Sequence, residues 1–320
     1  MQTTFKYGFL SIVLSSLFAL SIDTYAQECK PSRWGADDQI GSANHVDPDR
    51  VLMASRLVKK GQSHPLGIVV DPAMPSFPPR TMSLQVVQPG QHNGRDLTQD
   101  FGWPVVYNDD IAQLWFGIGS QLDGLGHMGE AGLYYNCNAA VDFIDISGLK
   151  KLGTHQVPPM IGRGVMVDMA RHFGVTTMAA GQAISSDDIK AAAKAQGVTF
   201  REGDVVLFHT GWTDGMLESN PTAWGAGQPG LTNEAFAYMG SLDPMAVGAD
   251  TWGIDAMPAA PGDKLFYGHV EMLKNRGIYL LETMNTGRLA SEEVHEFMFV
   301  LGQARIKGAV QMIINPVAMW

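Results

Sequence analysis

Gly117-Ile118-Gly119-Ser120-Gln121-Leu122-Asp123-Gly124-Leu125-Gly126-His127 is the stretch on which the reading of this chain turns. It sets a carboxylate and an imidazole four residues apart, a spacing that would share one face of a helix. Gly124 and Gly126 make a helix improbable, because each glycine costs about 1 kcal/mol relative to alanine in a helix interior. A tight loop therefore has to bring Asp123 and His127 together. Carboxylate oxygen with imidazole nitrogen suits zinc, manganese or iron. An Asp and a His this close also serve as ordinary hydrogen-bonding loop residues, and the spacing alone does not choose between the two. Ser120 lacks the second glycine of a G-x-S-x-G nucleophile elbow, which argues against a covalent serine mechanism.

Outward from this stretch, short β-branched runs recur between turn residues. Residues 164–168 (GVMVD), 204–208 (DVVLF), 277–281 (GIYLL) and 309–314 (AVQMII) predict buried strands. Between them, Ser185-Ser186-Asp187-Asp188 ahead of an alanine-rich run predicts a capped helix ending near Gly197. A second helix is predicted from Asn233 to about Tyr238, and a third from Asp263 through Leu273 that would carry His269. Residues 72–104, rich in Pro, Gly and Gln, predict long loops around a short strand at 83–87. Alternating elements of this kind mean a mixed α/β organisation.

The 320 residues, with 45% hydrophobic and 17% charged, suffice for a sizeable core. A net charge of −10 argues against nucleic acid as a partner, which needs a clustered basic surface. Lys6, the apolar run from Phe9 to Ile22 and Thr24-Tyr25-Ala26 predict an export signal over residues 1–26, leaving 27–320 as one domain, periplasmic or secreted. The apolar run is shorter than the roughly 20 residues of a membrane span, so no membrane association is expected after cleavage. Cys29 and Cys137 allow a disulfide by count, and sequence alone leaves the pairing open.

The 117–127 stretch resembles the cyclase family of metal hydrolases, which includes kynurenine formamidase and isatin hydrolase, with its hallmark H-x-G-T-H-x-D-x-P-x-H. Gly119, Asp123 and His127 match; Ser120 replaces Thr, and Gly117 and Gln121 stand where the two leading histidines would be. The likeness continues through Gly162-Arg163-Gly164-Val165, Thr210-Gly211-Trp212, Gly248-Ala249-Asp250-Thr251-Trp252-Gly253, His269, Glu282 and Asn315-Pro316. It implies a cyclase-like (swivelling β/β/α) single α/β domain with a mixed β-sheet core and flanking helices, assembled as a dimer or tetramer. It further implies a divalent metal, zinc or manganese, at Asp123, His269 and Glu282 with help from Gln121 or His127. Loss of two imidazoles points to a single-metal site.

The expected activity is hydrolysis of an amide, lactam or lactone bond in a small, cyclic or aromatic substrate. His127 is the expected proton shuttle if it is not a ligand, Gln121 a ligand or an orienter of water, and Ser120 an oxyanion donor. Trp115, Phe116, Tyr134, Tyr135 and Trp212 flank the motifs as a candidate apolar wall, and His209 as a candidate site residue; each also has a plain packing role open to it. Metal-dependent lyase or dehydratase chemistry, and a non-catalytic binding protein, are the competing functions.

Overall fold

The computed structural model describes residues 29–320; the export signal expected over residues 1–26 lies outside them. In chain order the described strands are β1 (Ser63–Pro65), β2 (Met82–Val87), β3 (Asp109–Leu114), β4 (Gln121–Asp123), β5 (Met160–Asp168), β6 (Ala183–Ile184), β7 (Val205–His209), β8 (Gly230–Leu231), β9 (Ala246–Ala249), β10 (Tyr279–Glu282), β11 (Glu296–Leu301), β12 (Gln311–Ile313) and β13 (Val317–Met319). Nine of them form one sheet in the order β1-β13-β11-β5-β7-β9-β10-β4-β12.

The middle of that sheet, β5, β7, β9 and β10, is parallel. These are continuous apolar runs, as strands covered on both faces must be, and Val165, Val167, Val205, Leu207, Val247 and Leu281 are fully buried. Antiparallel strands complete both edges. The chain is thus a mixed α/β fold around one mixed sheet, as its sequence pattern predicts.

Local signals place the helices. Ser185 and Asp188 form a reciprocal capping box that opens the helix Ser186–Ala195, and Gly197 turns left-handed just beyond it. Thr232 caps Asn233–Ser241, three residues longer than the sequence suggests. The helix predicted over 263–273 starts later: Phe266 is left-handed (φ 59°), so Tyr267–His269 is the first turn and a π-helical segment, Val270–Arg276, continues it. Residues 72–104 hold the expected strand, β2, but β2 pairs with an unpredicted β3 in a hairpin separate from the main sheet.

Two matched motifs prove to be struts. Asp250 accepts from the Thr210 backbone amide (2.9 Å) and hydroxyl (2.6 Å), tying the end of β7 to the end of β9. Arg163 on β5 pairs with buried Asp204 at 2.6 Å. Cys29 and Cys137 form a disulfide, Cα to Cα 5.6 Å, pinning the start of the described chain to the turn at Tyr135–Cys137. No helix among the described residues is long and apolar enough to cross a membrane.

Candidate metal centre

Strand register builds the site. β4 lies between β10 and β12, so Gln121 faces Glu282 across one ladder and Asp123 faces Gln311 across the other. Side chains alternate along a strand, so these four polar groups share one face while Leu122, Leu281 and Met312 join the core on the other. His269 reaches the same point from the first turn of its helix. Gly268 permits that approach, since a Cβ there would lie 2.3 Å from the Phe236 ring.

Asp123, His269 and Glu282 are all buried, and their ligand atoms lie within 4.8 Å of one another. His269 Nε2 is 3.0 Å from Glu282 Oε1 and 3.6 Å from Asp123 Oδ2. The other ring nitrogen, Nδ1, is 3.1 Å from Asp255 Oδ2, and Asp255 also accepts from the Gly268 amide (3.3 Å). One carboxylate thus anchors the helix start and aims the imidazole, as outer carboxylates do for metal-binding histidines. Gln121 donates to Glu282 (2.5 Å) and Asp123 (3.3 Å), and Gln311 donates to Asp123 (2.6 Å).

The electrostatics of this cluster call for a cation. Burial, then the charge of Asp123, pushes the Glu282 carboxyl up to about 7. Burial opposes charging of His269, but hydrogen bonds and charges from Asp255 and Glu282 outweigh it and hold its pKa well above the usual imidazole range. Asp123 Oδ2 is buried without a hydrogen-bond partner, an uncommon state for a carboxylate oxygen. Two carboxylate oxygens and an imidazole nitrogen converging on that orphan are a donor set that fits zinc or manganese.

His127 stands just outside this set, its Nε2 3.8 Å from Asp123 Oδ2. Chiefly through burial its pKa is lowered, so at neutral pH the ring is uncharged and able to take a proton. It lines a cavity of about 1000 Å³ whose walls include Arg80, Trp115 and Gln311.

Other expected residues fall elsewhere. Gln121 turns its amide nitrogen toward the carboxylates, donating to both Glu282 and Asp123. Ser120 donates its hydroxyl to Thr283 O and accepts from the Ile68 amide, which leaves no proton for an oxyanion. His209 is buried against Thr286 (2.8 Å) and Asp250 (3.5 Å). Trp212 is buried, its indole directed at Trp224 O. Tyr134 packs edge-on against Phe143 and lines a separate cavity beside Trp34. Of the proposed apolar wall, Trp115 and Phe116 lie with His127, while Tyr135 lines the separate cavity with Tyr134.

The aromatic groups beside the site are instead Trp252, Phe77 and Phe266, with centroids 5.7 and 6.0 Å apart in turn, the last 5.4 Å edge-on to His269. Arg80, Asp255, Gln311, Phe77 and Phe266 escaped sequence reasoning, and Trp252 stood in a matched motif without being read as a site residue; Gln311 carried a signal as the polar residue within an apolar run.

With this geometry established, comparison with known proteins becomes informative. The Cyclase family model matches residues 63–256, more than half of the chain. Its match includes Asp123 and His127 and stops short of His269 and Glu282, which the fold brings to the same point. A solved structure described as a novel cyclase is 25% identical, with a TM-score of 0.79 over 91% of this chain and 100% of its own. Isatin hydrolase A from Labrenzia aggregata is 17% identical, with a TM-score of 0.58 over 83% of this chain and 95% of its own. A structure described as a potential metal-dependent hydrolase with cyclase activity is 15% identical, with a TM-score of 0.52 over 80% and 98%. No protein of curated function matches the chain in sequence. By the extent of the family match, the chain belongs to the Cyclase family.

Proposed function

We propose that this protein is a metal-dependent hydrolase that opens an amide, lactam or lactone bond of a small substrate. The observation that carries the proposal is the buried convergence of Asp123, His269 and Glu282 on a carboxylate oxygen that no protein group satisfies. The printed names of the similar folds, isatin hydrolase and a potential metal-dependent hydrolase, support the same reading.

A single zinc or manganese held by these three residues would supply a Lewis acid and bring the pKa of water toward neutrality. Asp255 accepts the His269 Nδ1 proton, so that with a metal bound Nε2 would offer it a lone pair beside Glu282 and Asp123. Gln121 and Gln311 hold the two carboxylates in place from the flanking strands. His127, neutral and on the cavity wall, takes a proton from the attacking water and returns it to the leaving group.

The reading extends to context. The Cys29–Cys137 disulfide favours an oxidising compartment and so supports export; the mass of the mature protein should match loss of residues 1–26. The β2–β3 hairpin exposes Leu84, Val86 and Ile111, which supports a homo-oligomer built through this arm. Val86→Asp should then shift the protein toward monomer in sedimentation.

Elemental analysis of the mature protein tests the core of the proposal. About one zinc or manganese per chain, lost in Asp123→Ala and His269→Ala, is expected, with chelator-sensitive hydrolysis across a panel of lactones and cyclic amides. No metal taken up even on incubation would sink the hydrolase. Turnover without addition of water to the product would move the chemistry to a lyase.

A further inference from the structure

Arg80 occupies a position the metal centre does not explain. Its guanidinium donates to Gly117 O (2.7 Å), and it has no carboxylate partner among the described residues. It lines the 1000 Å³ cavity together with His127 and Gln311. It also lines the narrow crevice shared by Phe77, Gln121 and Trp252. It therefore sits between the reacting groups and the aromatic rings. Among the described residues no Asp or Glu lines that larger cavity, whose titratable groups are Arg80 and His127.

The sequence makes room for this guanidinium. A Cβ built on Gly117 would lie 2.6 Å from both Arg80 Cζ and its terminal nitrogen, so any larger residue at 117 displaces the head group. The φ of Gly117 is not positive, so glycine is there for space rather than for backbone freedom. A half-buried, unpaired guanidinium facing an acid-free cavity is a fork of donors awaiting a planar anion, and a carboxylate matches it bidentately.

We propose that Arg80 is the substrate's anion-recognition residue, so that the substrate is a small aryl or cyclic compound bearing a carboxylate near the bond that is opened. This inference rests on the hydrolase reading for the bond broken but not for the anion bound. The guanidinium fixes the carboxylate end, the Phe77, Trp252 and Phe266 rings receive the apolar body, and the carbonyl is left toward Asp123, His269 and Glu282.

Isothermal titration of the mature, metal-loaded protein with benzoate and with neutral benzamide tests it. Benzoate should bind about ten- to hundredfold more tightly than benzamide, the range of a charge-assisted hydrogen-bond pair. Arg80→Met should erase that preference with metal content unchanged, and Gly117→Ala, which keeps the arginine but evicts its head group, should do the same. Arg80→Lys should retain part of it. Failure of wild type to bind benzoate, equal affinity for benzamide, or benzoate affinity unchanged in Arg80→Met would each overturn the proposal. Repeating the titration after chelation separates the two readings. Benzoate affinity that survives without metal and falls in Arg80→Met upholds Arg80 whatever becomes of the hydrolase, whereas affinity lost with the metal and indifferent to Arg80 assigns the anion to the metal and overturns the role of Arg80.

Discussion

Among the described residues, two groups of three His and acidic side chains lie close enough to share a cation, and the two behave as opposites. Asp123, His269 and Glu282 are all buried. His45, Glu202 and Asp243 meet near the surface, where Arg33 pairs with Asp243 and Arg50 with Glu202. Each surface carboxylate already has its cation, and His45 fills the gap between them with Trp34 edge-on at 5.3 Å. Its pKa is lowered, mainly by burial. The inner carboxylates are matched only by amide donors and by His269, so their charge remains uncompensated. Ligand-type residues at ligand-like distances do not make a metal centre; what distinguishes one is buried charge that the protein leaves unbalanced.

The largest expected effect is on the inner cluster itself. His269→Ala should take bound metal from about one per chain to background and abolish hydrolysis, read by elemental analysis and product assay; full metal retention would erase the contrast. His127→Gln should keep the metal but lower kcat by about 10²- to 10⁴-fold, the usual worth of a general acid–base group. Loss of metal in that variant would make His127 a ligand instead. Asp255→Asn, which no longer accepts a proton-bearing nitrogen as an anion, should weaken metal affinity by about 10- to 100-fold, measured by competition with a chelator.

A pH series sharpens the difference next. Without a cation, the Glu282 carboxyl sits at about 7 against 4.5 for its ordinary value. The folded chain thus binds a proton that the unfolded chain has released, a stabilisation fully present below pH 4.5 and lost as pH rises through about 7. A metal reverses this by favouring the ionised form. Metal-free protein should therefore lose Tm between pH 5 and 8, while the Tm gained on adding metal grows over the same range. A metal-induced gain that does not change with pH would place the cation elsewhere. The smallest effect belongs to the outer cluster: His45→Ala should leave metal content unchanged and cost about 1–3 kcal/mol in urea unfolding, through the lost buried hydrogen bonds.

Much of this was legible before any coordinates. Continuous apolar runs announced buried strands, and Ser185 with Asp188 announced a helix start, because both signals are local. Asp123, His269 and Glu282 were legible through resemblance and not through spacing. The pairing of Gln311 with Asp123 depends on the register of β12 against β4, which no local pattern encodes. Trp212 and Tyr134 looked like site residues because they adjoin motifs, yet adjacency in sequence does not set where a ring points: Trp212 opens a helix and turns to the core, and Tyr134 lines another cavity.

The sequence by itself determined the α/β class and the strand and helix nuclei, which follow from periodicity and capping within short windows, and through the resemblance of its motifs it pointed to the family and the ligand candidates. Only the tertiary structure decided that the Gln121 amide donates to Glu282 and the Ser120 hydroxyl to Thr283, that Asp255 holds His269, and that Arg80 fills the space opened by Gly117. Those outcomes depend on which groups far apart in the chain compete for the same buried protons and the same volume, and that competition exists only once the strands are in register.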